Sequence, residues 1–285
     1  YTEPFNNLFT QGMVCHETYR DEKGNWLYPN EIEKINEKKV LKKSDKSKVL
    51  LGPSESMSKS KKNTVDPETM INQYSADAVR WFILSDSPPE KDVQWSDTGV
   101  VSSNKFLQKI WNLNQTILAR KDVNKDTKLE DSFEVKLNLF FHKIDNAIQN
   151  FQFNVAIANF YEVYRYFVEI QKSNISSEIL VKNLIKLMKL MTPFVPHLAR
   201  ECLSKLKIKD VHVWPTIDMK KLDNVKINMV IQINGKTRDV ISVKKDEDEA
   251  EIKKISTNSI KIKKYIIDKK ISRTIFVKNK IINYI

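Results

Sequence analysis

Glycine is scarce, with five among 285 residues. None falls in a GxxxxGKS/T or GxGxxG array, which excludes a glycine-rich cradle binding phosphate through its backbone amides. Cysteine is scarcer: Cys15 and Cys202 lie far apart and outside any CxxC pair. That excludes a zinc ribbon and a disulfide framework, and predicts a reducing, cytoplasmic compartment with each thiol buried. The four histidines, His16, His142, His197 and His212, form no HxH or HxxxH pair, and no Asp/Glu cluster falls at ligand spacing. No metal site is expected. No apolar run approaches the roughly 18 residues that cross a bilayer, so no membrane partner is expected either. The opening YTEPFNNLF has neither an initiator methionine nor a charged-then-apolar leader. It reads as a fragment or processed piece, not a secreted precursor.

What is present suits a folded protein of two or three domains, 41% apolar and 29% charged. The net charge of +12 points towards a polyanion such as nucleic acid. Lysine, isoleucine and asparagine are abundant throughout the chain, however, so total charge alone leaves that open.

Residues 8–15, LFTQGMVC, form a short apolar segment in which Gly12 marks close backbone approach at a strand end. Residues 16–50 are rich in Lys and Glu. DEKGNWLYP reads as a small hairpin turning near Gly24, and NEIEKINEKKVLKKSDKSK as a surface insertion outside the core.

Residues 66–215 read almost wholly as helices. Asp66 is a good N-cap with Pro67 at the first helical position, where its missing N–H costs nothing. Glu68 suits the positive end of the helix dipole. Met70, Tyr74, Val79, Phe82 and Ile83 then fit one apolar face, as of a single helix ended by SDSPPE. Further stripes follow: Phe106, Ile110, Leu113 and Ile117; then Phe140, Ile144, Ala147 and Phe151; then NVAIANFYEVYRYFVEIQK; then Leu180, Leu184, Leu187 and Met191 before TPFVPH. Such a succession predicts an antiparallel helix bundle.

Residues 225–285 change period. VKINMVIQI alternates as a strand does, Asn234-Gly235 supplies a two-residue turn, and KTRDVISV returns. EAEIKKISTNSIKIKKYI is expected to be a helix and ISRTIFV a third strand, giving a small α+β module. It holds 15 Lys and Arg against 7 Asp and Glu, a net +8 of the total +12. Charge concentrated on so small a module argues for a polyanion partner better than charge spread evenly.

The chemistry rests on one stretch, SESMSKSKKNTVDPETM, residues 54–70. A Ser/Lys run before a capped helix is either a solvated linker or a mobile basic loop that grips nucleotide phosphates. Phosphoryl and nucleotidyl transfer need positive charge where negative charge grows, and lysine supplies a compact ammonium on a long stem. Composition and spacing leave both readings open.

SMSKSKKN followed by DPETMINQYSADAVRWFILSDSP closely resembles the second signature of class I aminoacyl-tRNA synthetases, the KMSKS loop, and the helix leading from it. FLQKIWNL and MTPFVPHLARECL look like the helix bundle of the Leu/Ile/Val/Met subgroup. EPFNNLFTQGMV and VIQINGKTRDVISV are similar to its leucyl branch in particular. The resemblance covers nearly the whole chain.

It implies a multidomain, mainly α chain in three parts. Residues 1–94 would end a Rossmann-like catalytic domain, with 16–50 as an insertion and 56–60 as the signature loop. Residues 95–215 would form a helical bundle of the anticodon-binding type, and 225–285 a small α+β domain that touches tRNA. In the loop, Ser56, Met57, Ser58, Lys59 and Ser60 would contact ATP, brought as Mg-ATP. Lys59 would be the catalytic residue, stabilising the departing pyrophosphate as the amino acid becomes its adenylate. Ser56 replaces the first lysine of the signature, which removes one positive charge. The implied partners are leucine, ATP and a leucine-specific tRNA, in a protein monomeric at full length. The other signature and the amino-acid pocket are expected upstream, so the chain alone is not expected to aminoacylate tRNA. The alternatives are an isoleucyl, valyl or methionyl relative, or a non-catalytic tRNA-binding module.

Overall fold

The computed structural model describes residues 3–5, 8–36, 39–121, 126–218, 226–244, 247–266 and 271–285. Parts of two sequence expectations, Val225 of the strand and Glu37-Lys38 of the insertion, lie outside them. The chain divides into two compact units, Tyr1–Thr216 and Ile217–Ile285.

The first unit opens with a sheet of short strands: β1 (Val14–Arg20), β2 (Trp26–Leu27), β3 (Ile32–Lys34), β4 (Val40–Lys42), β5 (Lys48–Ser56) and β6 (Val93–Gln94). Their order is β2-β1-β5-β4-β3, with β6 parallel to β1. The turn at Gly24 is as expected: its φ is 84°, and β1 and β2 pair antiparallel across it. Close approach at Gly12 is also real, since a β-carbon there would collide with the backbone of Lys91. Residues 16–50, however, do more than decorate a surface. Tyr19, Leu27, Ile32, Val40 and Val49 are buried together as a small core of their own. One apolar residue per short strand suffices to line such a face, and that density is too low to stand out among lysines. Pro53 is accommodated in β5 because the register against β1 shifts between Glu17 and Tyr19, a bulge where a missing N–H breaks no ladder.

Helices follow. The expected single helix after Asp66 is two, α1 (Pro67–Tyr74) and α2 (Ala76–Asp86). Ser75 separates them at φ 91°, and its hydroxyl accepts a hydrogen bond from the Ala78 N–H at 3.2 Å. A serine that caps a new helix competes with continuing the old one. Beyond come α3 (Asp97–Leu118), α4 (Thr127–Gln149), α5 (Phe153–Ile170), α6 (Ser177–Met191) and α7 (Pro196–Lys205). The stripes of α3 and α6 are buried as expected. That of α4 is rotated from expectation: Phe133, Leu137, Phe141, Ile144 and Ala147 face the core, Phe140 is half-buried, and Phe151 is exposed beyond the helix at φ 56°. Two adjacent phenylalanines at 140 and 141 leave the phase ambiguous by one residue, about 100° around the axis.

Trp81 of α2 is fully buried in this bundle. Its ring lies 5.3 Å from Phe106, 5.8 Å from Phe160 and 6.2 Å from Phe194, and its indole N–H donates to the Tyr161 hydroxyl at 3.2 Å. Two polar groups on the same helix add directed bonds. The buried Asp77 carboxylate accepts from the Leu198 N–H at 2.7 Å and caps α7, while Arg80 donates to the carbonyls of Phe194 (3.0 Å) and Pro193 (2.6 Å). The second helix after the Ser/Lys loop, α2, is thereby riveted to the bundle.

The second unit is a four-stranded sheet, β8-β7-β10-β9, built from β7 (Lys226–Ile233), β8 (Lys236–Lys244), β9 (Thr274–Val277) and β10 (Ile281–Tyr284). Asn234 and Gly235 both take positive φ, as the tight turn of the β7–β8 hairpin requires. The expected single helix is again two, α8 (Glu249–Asn258) and α9 (Ile260–Ile266), parted at Ser259, whose hydroxyl donates to Asp239 at 2.5 Å. Strand β10 was not expected, yet it pairs with both β7 and β9. Met229, Ile231, Val243, Ile252, Ile262, Ile282 and Tyr284 form the core.

Both cysteines are free and buried. Burial pushes the Cys202 thiol up to about 12, and burial with the nearby Asp92 raises that of Cys15. Neither is an activated nucleophile. Among the described residues no helix is long and apolar enough to cross a membrane.

Candidate functional site

The Ser/Lys stretch leaves the end of β5 and returns to the cap of α1. Ser56 is the last residue of β5, opposite Cys15 of β1. The Met57 N–H donates to the Val14 carbonyl at 3.0 Å, so the first loop residue is still tied to the sheet. At Ser58 the chain folds on itself. The Ser58 and Ser60 hydroxyls lie 3.0 Å apart, the Lys61 N–H donates to Ser58 Oγ at 3.3 Å, and the Lys62 N–H to the Lys59 carbonyl at 3.3 Å. Residues 58–62 are thus brought into one tight turn with Lys59 and Ser60 exposed on it, while Ser56 and Met57 stay bonded to the sheet.

Three lysines define what this turn can do. Lys61 forms an ion pair with Glu55, and Lys62 places its ammonium 5.2 Å from the Tyr28 ring centre. Lys59 has no ion-pair partner among the described residues. The turn therefore presents one uncommitted cation, beside two hydroxyls. Nothing in composition distinguished these three lysines; the Glu55 partner and the ring do.

The residue that sequence reasoning missed is Asn63. It is fully buried, its Oδ1 accepts the Ser58 N–H at 2.8 Å, and its Nδ2 approaches the carbonyls of Glu55 (3.1 Å), His16 (3.2 Å) and Ser56 (3.4 Å). An asparagine between a lysine pair and a helix cap looks like ordinary loop composition, so only its burial marks it. Beyond it, the Asp66 carboxylate accepts from the N–H groups of Glu68 and Thr69, both at 3.2 Å, and from the Thr69 hydroxyl at 2.5 Å. These bonds, the Thr69 hydroxyl foremost, hold the Asp66 carboxyl below the usual range. It is charged at neutral pH and fixes where the loop ends.

Lys62 adopts φ 52°, the left-handed region, and this bend turns Asn63 inward. A side chain there costs roughly 1 kcal/mol relative to glycine, partly offset by the freedom glycine has when unfolded. Lys62→Gly should raise the thermal midpoint slightly and Lys62→Val should lower it. Indistinguishable midpoints for the two would contradict a left-handed turn at this position.

Residues 47–96, from β5 through α2 to β6, match a family model described as tRNA synthetases class I (I, L, M and V). Residues 130–254, from α4 into α8, match one described as the anticodon-binding domain of tRNA ligase. Over 99% of its length the chain is 39% identical to a leucine–tRNA ligase of Rickettsia typhi, 40% to that of Rickettsia bellii and 36% to that of a Wolbachia strain from Culex pipiens. The chain is a homologue of the leucine–tRNA ligases. It spans about a third, 34%, of the length of these curated relatives. Among solved structures, the LeuRS agnB2 of Agrobacterium radiobacter K84, crystallised as a ternary complex with tRNA and LeuAMS, covers the whole chain with a TM-score of 0.69 at 23% identity, over 33% of its own length. That likeness establishes a shared fold. In this leucine–tRNA ligase homologue, then, the class I match encloses the whole turn from Ser56 to Asn63, while the anticodon-binding match begins in the bundle.

Proposed function

We propose that this chain is the C-terminal portion of a cytoplasmic leucine–tRNA ligase that activates leucine with Mg-ATP and transfers it to a leucine-specific tRNA. Residues 1–94 contribute the phosphate side of the ATP site, 95–215 the helical tRNA-binding bundle, and 225–285 a basic module that grips tRNA. The leucine pocket belongs to an upstream segment, so the chain does not act alone; the full-length protein works as a monomer.

In the activation step the leucine carboxylate attacks the α-phosphorus of ATP and pyrophosphate departs. Charge grows on the departing phosphates, and the Lys59 ammonium, carried on the turn after β5, meets it there. Ser58 and Ser60 offer hydroxyls to the same oxygens, while Ser56 and Met57 anchor the turn to the sheet. Ser56 brings no charge, which leaves Lys59 as the principal cation. The observation that carries this reading is that, among the described residues, Lys59 alone of the loop lysines has no ion-pair or ring partner, in a chain homologous to leucine–tRNA ligases over 99% of its length.

The test is amino-acid-dependent exchange of pyrophosphate into ATP by the full-length polypeptide carrying this chain. Leucine should support exchange on the order of 10² times more efficiently than isoleucine, valine or methionine, the discrimination that side-chain shape in an apolar pocket can supply. Preference for one of those three instead would overturn the assignment.

A further inference from the structure

Between the last residue of β5 and the cap of α1 the chain has nine residues, 57–65, rich in groups that prefer water. Such a segment would ordinarily sample many conformations. Here one side chain restrains it. Asn63 is the only fully buried residue of the nine, and it contributes both faces of its amide: Oδ1 accepts from the Ser58 backbone, and Nδ2 faces the carbonyls of His16 on β1 and of Glu55 and Ser56 on β5. Ser58 and Asn63 are the two ends of the five-residue step that has Lys59 on it. Bonding the first end to the second, and the second to two strands, fixes the base of the turn to the sheet. The Lys61–Glu55 pair closes the same ring from outside.

We infer that Asn63 is a positioning residue for Lys59. It touches no substrate. It fixes the base from which the lysine reaches the leaving phosphates, so that little ordering of the loop remains to be done when ATP binds. This rests on the ATP-site reading of Lys59 given above. An asparagine suits the task because it alone among small side chains offers an acceptor and two donors in one plane. Alanine would leave three carbonyls and one N–H without this partner, and aspartate would turn a carboxylate oxygen towards the carbonyls.

The full-length polypeptide with Asn63→Ala, Lys59→Ala and both changes together tests it. Asn63→Ala should lower the kcat of leucine-dependent pyrophosphate exchange about tenfold and leave the KM for leucine unchanged, because the leucine pocket is elsewhere. In the Lys59→Ala background the same change should cost less than twofold, since a group acting through Lys59 has nothing left to position. Multiplicative losses would overturn the inference, as a general structural role predicts them. So would wild-type exchange in Asn63→Ala beside a crippled Lys59→Ala. If Lys59→Ala itself exchanges normally, the ATP-site reading falls and this inference with it. Should Asn63→Ala be unfolded at the assay temperature, Asn63→Ser, which keeps one donor and acceptor, is read in the same cycle with a threefold to fivefold loss expected.

Discussion

Lys59→Ala in the full-length polypeptide should lower leucine-dependent pyrophosphate exchange by on the order of 10²-fold or more, about 2.7 kcal/mol of transition-state stabilisation. Pyrophosphate exchange is the right measurement because it reports adenylate formation without involving tRNA. The loss should fall mainly on kcat, with the KM for ATP little changed, if the ammonium meets charge that develops only as the phosphates separate. Lys59→Arg keeps the charge but spreads it over a planar fork, and should recover only part of the rate. The control is Lys61→Ala. Lys61 is already paired with Glu55, so its removal should cost roughly threefold or less. The reverse ranking, with Lys61 dominant and Lys59 dispensable, would assign the catalytic charge to the wrong lysine.

Removing the second unit, Ile217–Ile285, should leave exchange within about twofold of the intact protein while weakening tRNA binding at least tenfold near 0.15 M salt. The cut falls between two compact units, so the Ser/Lys loop and the helix bundle stay whole. The magnitude follows from which cations are free. Lys253 and Lys254 are paired with Glu249 and Glu251, and Lys261 with Asp239. Lys236, Arg238, Lys244, Lys263 and Lys280 are exposed with no ion pair among the described residues. The Arg238 guanidinium also lies 4.6 Å from the Tyr265 ring centre. If three or four of these meet phosphates, the slope of log K against log salt should shallow by about three units. An unchanged slope after truncation would refute the role given to this unit.

Much of the architecture was readable from local signals. Asp66-Pro67 announced the start of α1 because capping involves residues two and three apart. Asn234-Gly235 announced a hairpin because the turn itself demands positive φ. The stripes of α3 and α6 were legible because in each four large apolar residues recur at steps of three and four. The errors share a cause. Ser75 and Ser259 each end one helix and begin the next, and such a break leaves the apolar period nearly intact. Phe140 and Phe141 offered two phases for α4, and packing against α5 and α6 decided between them. Strand β10, IINY after a turn at Asn279 with φ 62°, has too few residues to show a period.

The sequence by itself determined the succession from a capped helix through a helix bundle to a small α+β module, the concentration of charge near the C-terminal end, and the likeness of residues 56–60 to a nucleotide-gripping loop. All of these depend on neighbours within one turn of helix or one hairpin. Only the tertiary structure decided which loop lysine lacks an ion-pair or ring partner among the described residues, and what bonds the base of its turn. The Asn63 amide reaches His16, 47 positions away, and Asp77 reaches the first turn of α7, 120 positions away. Residue type declares that a side chain can donate or accept, but its partner is chosen by which strands and helices the apolar core has already brought within hydrogen-bond reach.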